Sequence, residues 1–130
     1  MNPDRVFVYG GLMRGFDLHH HMTPSEFVGR GMVDGALLAL GAYPGLVEGD
    51  ATVRGEVYRF EDMPAALDVL DDIEQYNPAD PDGSLYVRLV QPVRMDDGRV
   101  LDAWVYRYHR PAGDAPRVPN GDWHAAQPNA

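Results

Sequence analysis

Residues Leu85–Arg110, LYVRLVQPVRMDDGRVLDAWVYRYHR, carry the pattern that decides the fold. Two apolar runs, Leu85–Met95 and Arg99–Arg110, are joined by Asp96-Asp97-Gly98. Asp-Gly between such runs is a strong β-hairpin signal, because glycine supplies the positive φ that a tight turn needs. In the second run Val100, Trp104, Tyr106 and Tyr108 share one face, and Leu101, Ala103 and Val105 share the other. A strand apolar on both faces is either central in a sheet or part of a barrel wall covered from outside.

Upstream segments fit that frame. Arg5–Tyr9 (RVFVY), bounded by Pro3 and Gly10-Gly11, reads as a short buried strand. The glycine-rich GGLMRG loop follows, and Phe16–Met22 (FDLHHHM) fits a helical turn or a loop. Ser25–Leu40, interrupted by Gly29, Gly31 and Gly35, reads as one or two strands with a bend. Ala42–Asp50 reads as a loop, and Ala51–Phe60 as a strand of imperfect alternation. The best helix is Asp62–Tyr76. Asp62 suits the N-cap and Pro64 the first turn, Met63, Ala66, Leu67, Leu70 and Ile73 form an apolar stripe, and Asn77-Pro78 ends the pattern. A loop, PADPDGS, leads into the hairpin, and from Pro111 onward a Pro/Gly/Asn-rich tail is expected to wrap the surface. The expected fold is α+β, a small closed or half-closed barrel of mostly antiparallel strands with one main helix.

Composition narrows the function. A chain of 130 residues is expected to be one domain, 1–130, with an irregular tail from about 111. A formal net charge of −9 argues against nucleic acid or an anionic membrane surface as partner, since both call for a cationic face. No apolar run approaches the ~20 residues of a membrane span. The start, Met-Asn-Pro-Asp-Arg, lacks signal-peptide architecture, so a cytoplasmic location is expected. The absence of cysteine excludes disulfide scaffolds, thiol catalysis and Cys-ligated metal sites.

Several groups are candidates for chemistry. Glu74 follows Leu67 by seven residues and Leu70 by four, which places its carboxylate on the apolar helix face. Desolvation there, with the negative end of the helix dipole, raises its pKa toward the range of a general acid/base. The competing reading is a helix-end Glu that reaches water or pairs with an arginine. Gly10-Gly11-Leu12 leaves the first strand, where backbone N–H groups can converge on an anion or oxyanion, although an ordinary glycine turn has the same appearance. It is not a phosphate loop, having no Gly-Lys-Ser/Thr end. His19-His20-His21 is expected to be a partly exposed polar loop or helix face rather than a metal site, because consecutive side chains diverge, with one of them a candidate to line the pocket. Tyr86 and Arg88 share one strand face, as do Tyr106 and Tyr108, and serve equally as pocket or wall residues. Asp68, Asp71, Asp72 and Glu74 form mainly a solvated helix face, with Asp71 and Asp72 flanking the stripe or facing water. No GxSxG nucleophile motif and no EF-hand spacing occurs.

Val6–Gly15 (VFVYGGLMRG), Leu70–Tyr76 (LDDIEQY), Ser84–Arg88 (SLYVR), Ala103–Tyr106 (AWVY) and Asn120–Trp123 (NGDW) together resemble the ordered motifs of the γ-glutamylcyclotransferase-like proteins, in the branch of the γ-glutamylamine cyclotransferases and AIG2-like proteins. The resemblance spans nearly the whole chain. It implies a small β-barrel with flanking helices, no metal or cofactor, a small γ-glutamyl substrate, and a monomer or homodimer. It also implies release of an amine from a γ-glutamyl amide with formation of 5-oxoproline. Carried over residue by residue, Tyr9, Gly10, Gly11 and Leu12 match the loop that holds substrate, Glu74 matches the acid/base, and Tyr86 matches a pocket tyrosine. The family usually carries Thr or Ser where Gly11 stands, so a hydroxyl is lost here. Two other functions remain open from sequence. One is a non-catalytic module binding a small amino-acid-like ligand in the same pocket; the other is a hydrolase or acyltransferase acting on γ-glutamyl amides.

Overall fold

The hairpin forms as its sequence requires. In a computed structural model that describes residues 3–126, β4 (Tyr86–Met95) and β5 (Val100–Tyr108) pair antiparallel from Tyr86↔Tyr108 to Arg94↔Val100, with Gly98 at φ 93 in the turn. They belong to a closed five-stranded barrel in the order β1-β3-β2-β4-β5, built also from β1 (Arg5–Val8), β2 (Glu26–Ala39) and β3 (Pro44–Arg59). Closure comes from the parallel pairing of β1 with β5; the other ladders are antiparallel. The fold is therefore α+β with a mixed, mostly antiparallel barrel. Val6 and Phe7, which point to opposite faces of β1, are both buried, the mark of a wall strand that is packed inside and covered outside.

β2 is a single strand that bends. Its register against β3 shifts between Phe27 and Gly29 and again between Gly35 and Ala36. Beyond the second shift the two strands continue as a short arm, with Ala36–Ala39 opposite Pro44–Val47 and the turn closed by Leu40 N–H on the Tyr43 carbonyl at 3.0 Å. Pro44–Val47 therefore lie in a strand, where Pro and Gly suggested a loop. Pro44 is the first strand residue, so its missing N–H costs no ladder bond. Gly45 is required because a Cβ there would stand 2.8 Å from Tyr108 Cβ. Within β3 only Glu48–Asp50 fall outside the paired register.

The helix α1 (Met63–Ile73) begins where expected, with Asp62 Oδ1 accepting the Ala65 amide at 3.2 Å. It stops three residues short of Tyr76. Gln75 takes a left-handed φ of 55°, its amide bonds the Asp72 carbonyl, and the Tyr76 amide bonds the Asp71 carbonyl at 2.8 Å. These are the two bonds of a Schellman turn, made without the usual glycine. Met63, Leu67 and Leu70 join the main core.

The tail is tethered. Ala39 N–H donates to the Pro116 carbonyl and Val118 N–H to the Leu37 carbonyl, both at 2.8 Å. Asn120 and Gly121 then both adopt φ 61. A Cβ on Gly121 would lie 2.1 Å from the Thr52 carbonyl oxygen, so only glycine fits. This turn delivers the buried Trp123 into the short helix α2 (Trp123–Ala126). The last residues of the tail, 127–130, lie outside the described part. Among the described residues no helix is long and apolar enough to cross a membrane.

Candidate functional site

Four structural events converge on one cavity of ≈ 470 Å³: the exit of β1, the β2–β3 arm, the end of α1 and the start of the hairpin. Tyr9, Gly10, Gly11, Leu12, Glu74 and Tyr86 all line it. The six residues matched to the site are thus brought together, including Glu74 and Gly10, which are 64 positions apart in the chain, whereas Arg88 and Tyr108 do not line the cavity. Pro44 and Tyr43 on the arm, Tyr106 on β5 and Trp123 from the tail complete the walls.

Glu74 is the C-cap of α1, its amide bonded to the Leu70 carbonyl at 2.9 Å. The left-handed turn at Gln75 takes the chain away and leaves the Glu74 side chain lining the cavity. The residue as a whole retains partial exposure. The protein packed around its carboxyl nevertheless desolvates the charged form, and burial pushes its pKa from 4.5 up to about 7. A carboxyl with that pKa exchanges a proton readily near neutrality.

The glycine loop is held from both sides. Met13 N–H closes a turn on the Gly10 carbonyl at 3.0 Å, and Leu18 N–H donates to the Gly11 carbonyl at 3.2 Å. The Arg14 amide donates to Glu56 Oε1 at 3.0 Å, and the Tyr58 hydroxyl donates to the same oxygen at 2.9 Å. Glu56 is buried on β3, and the sequence reading missed it as a brace for this loop. Gly10 is obligatory: a Cβ would meet Pro44 Cγ at 2.8 Å. Gly11 is not, since a Cβ there would find its closest contact at 3.4 Å, on Leu18 Cδ1. Among the described residues no backbone acceptor is paired with the amides of Gly10, Gly11 and Leu12.

The aromatic wall is tied into the scaffold. The Tyr9 hydroxyl donates to the Tyr106 carbonyl at 2.6 Å and accepts the Leu46 amide at 3.2 Å, bridging β5 to the arm. The Tyr86 hydroxyl donates to the Pro44 carbonyl at 2.7 Å. The Tyr106 hydroxyl donates to Asp71 Oδ1 at 2.6 Å. Burial holds all three phenols well above the usual range, helped at Tyr106 by the bond to Asp71 and its charge, so they stay protonated.

Asp71 departs from its expected solvent-facing place. It is buried, and Arg88 binds it through two nitrogens, Nε at 2.8 Å and Nη2 at 3.2 Å. The guanidinium lies 4.6 Å from the Trp104 ring centroid and 5.3 Å from that of Tyr76. Burial opposes the Arg88 charge, but the bond to Asp71 and its field outweigh it and raise the pKa. The available sequence signal was an acid beside the apolar stripe together with an Arg and a Tyr on the two hairpin strands.

None of His19, His20 and His21 lines this cavity. They form a 3-10 turn; His19 Nδ1 lies 2.9 Å from the Leu12 carbonyl and His20 Nδ1 lies 2.8 Å from the Asp17 carbonyl. Among the described residues no group of three or more His, Asp or Glu side chains is placed to hold a metal ion. A larger hollow of ≈ 840 Å³ between that turn and the start of α1 is lined mainly by exposed side chains.

Fold and cavity together define a closed-barrel protein with a desolvated carboxyl lining a cavity in its wall. The chain belongs to the gamma-glutamyl cyclotransferase, AIG2-like family, whose sequence model matches residues 6–125. It is 37% identical over 120 residues to the gamma-glutamylcyclotransferase family protein YtfP of Escherichia coli K12, covering 92% of this chain and 95% of that protein. The solution structure of E. coli ytfP superposes with a TM-score of 0.63 at 36% identity, over 92% of this chain and 95% of that one. A mouse AIG2-like protein superposes with a TM-score of 0.76 over 99% of this chain and 93% of that one; at 24% identity that likeness is one of fold.

Proposed function

We propose that the protein cyclises the γ-glutamyl group of a small γ-glutamyl amide to 5-oxoproline and releases the amine, with Glu74 as the general acid/base. The observation that carries this reading is the Glu74 carboxyl, raised to about 7, lining the same cavity as the Gly10–Leu12 amides. In the reaction the α-nitrogen bonds to the γ-carbonyl carbon and the bond from that carbon to the leaving nitrogen breaks. The α-ammonium gives up two protons and keeps one on the ring nitrogen. The departing amine gains two and leaves as an ammonium. A carboxyl of intermediate pKa takes and returns such protons in turn. Nucleophile and electrophile belong to one molecule, so holding the folded conformer supplies much of the rate. The loop amides bind the substrate carboxylate or stabilise the oxyanion.

The test is incubation of the purified protein with a panel of γ-glutamyl amines and γ-glutamyl amino acids, with products identified by mass spectrometry. 5-Oxoproline is expected, and Glu74→Gln should lower its formation by about two orders of magnitude or more while the barrel stays folded. An active Glu74→Gln variant refutes the role of Glu74. Free glutamate as product indicates a hydrolase, and binding without turnover by the unaltered protein indicates a binding module.

A further inference from the structure

A phenol has one proton and two lone-pair directions. Four tyrosines line this cavity; Tyr43 is exposed, and the protons of the three buried ones are already committed. Tyr86 donates to the Pro44 carbonyl, Tyr106 to the Asp71 carboxylate and Tyr9 to the Tyr106 carbonyl. The directions are forced, because a carbonyl or arginine-paired carboxylate oxygen only accepts. Tyr9 additionally accepts the Leu46 amide. What Tyr86 and Tyr106 still have to offer a ligand is therefore a lone pair, never a proton. Neither can donate to a carboxylate or to an oxyanion.

The remaining lining sharpens the contrast. Among the described residues no arginine or histidine lines the cavity, and the chain contains no lysine. Its charged side chains are Asp17 and Glu74. The glycine-loop amides, the Gln75 side chain and the exposed Tyr43 hydroxyl can donate, and Tyr86, Tyr106 and Glu74 can accept. An ammonium carries three N–H donors and needs three acceptors.

We propose that Tyr86 and Tyr106, with Glu74, form an acceptor cradle for the α-ammonium of the ligand, so that the phenol oxygens select an α-amino group and orient it. The Asp71–Arg88 pair has a definite part in this: Asp71 accepts the Tyr106 hydroxyl hydrogen bond and leaves that oxygen acceptor-only toward a ligand. The phenols remain protonated because burial raises them, so they stay neutral acceptors while Glu74 exchanges protons. The inference rests on the γ-glutamyl reading above for the identity of the ammonium, but its test does not depend on turnover.

Two ligands that cannot cyclise separate the effects: L-methionine sulfone, which has an α-ammonium, and 4-(methylsulfonyl)butanoate, which lacks it. Binding to the unaltered protein is measured by calorimetry beside Tyr86→Phe and Tyr106→Phe. The unaltered protein is expected to prefer the ammonium ligand by about tenfold or more, the worth of hydrogen bonds to a charged group. Each Phe variant should lower that ratio by about threefold or more without changing affinity for the desamino ligand. Tyr86→Phe leaves the Asp71 pair intact and serves as the control if Tyr106→Phe folds poorly. Three results overturn the cradle: no preference in the unaltered protein, an unchanged ratio in the variants, or equal weakening of both ligands, which marks the phenols as structural only. Failure of the cyclisation reading is seen separately, as absence of 5-oxoproline.

Discussion

Replacing Glu74 with Gln is expected to change stability as well as activity, with a pH dependence that identifies the cause. The folded pKa of about 7 lies above the ordinary 4.5, so between these values the folded chain binds more protons than the unfolded one. Stability contributed by the neutral carboxyl is then fully present below pH about 4.5 and is lost as pH rises through about 7. The gap between 4.5 and about 7, at about 1.4 kcal/mol per pH unit, amounts to about 3 kcal/mol, an upper value because the residue retains some contact with water. Gln carries no charge at any pH and escapes that cost. Denaturation midpoints of the two proteins should therefore coincide near pH 4.5 and diverge above it, with the variant more stable by up to about 3 kcal/mol at about pH 8.5. For 130 residues and an unfolding entropy of about 2.1 cal/mol/K per residue, this corresponds to roughly 10 °C in Tm. Urea titrations at several pH values decide it. A difference that stays constant with pH, or a variant less stable in alkali, shows that the carboxyl is not desolvated and removes the basis for its role as proton carrier.

Adjacent glycines should respond differently to substitution. Gly10→Ala drives a Cβ to 2.8 Å from the Pro44 ring, so a loss of about 1–3 kcal/mol and a fall in 5-oxoproline formation of about tenfold are expected, whereas Gly11→Ser should stay within about 1 kcal/mol. Thermal melts and the product assay check both, and a silent Gly10→Ala contradicts the close approach of loop and arm. Asp71→Ala leaves Arg88 without its partner and the Tyr106 hydroxyl without its acceptor. With side-chain exposures of only 10% for Asp71 and 18% for Arg88, the expected cost is about 3 kcal/mol. The double change Asp71→Leu with Arg88→Met should recover most of that in chemical denaturation, and equal losses in the single and double variants would argue against a desolvated pair.

The hairpin was legible because its signals are local: two apolar runs, and an Asp-Gly turn whose glycine takes the positive φ. The helix start was legible for the same reason, since the Asp62 cap acts within three residues. The helix end was not. Asn77-Pro78 marks where a helix must have stopped, but the chain leaves earlier through a left-handed Gln75, a conformation for which that residue type gives no cue. Pro44–Val47 misled because Pro and Gly suit a turn as well as the first residues of a strand beside a crowded neighbour. The fold class was read correctly, since alternation and turn chemistry accumulate along the chain.

The amino-acid sequence by itself determined that a carboxyl would sit on the apolar face at the end of one helix and that a glycine-rich bend would follow the first strand, because each depends on neighbours a few positions away. Only the tertiary structure decided that Asp71 faces Arg88 and Tyr106 rather than water, that Trp123 returns to wall the cavity, and which way the tyrosine protons point. Helical spacing fixes the angle of a side chain about its own axis. Whether that direction meets solvent, a guanidinium or a phenol depends on strands brought alongside by barrel closure, between residues as many as 97 positions apart.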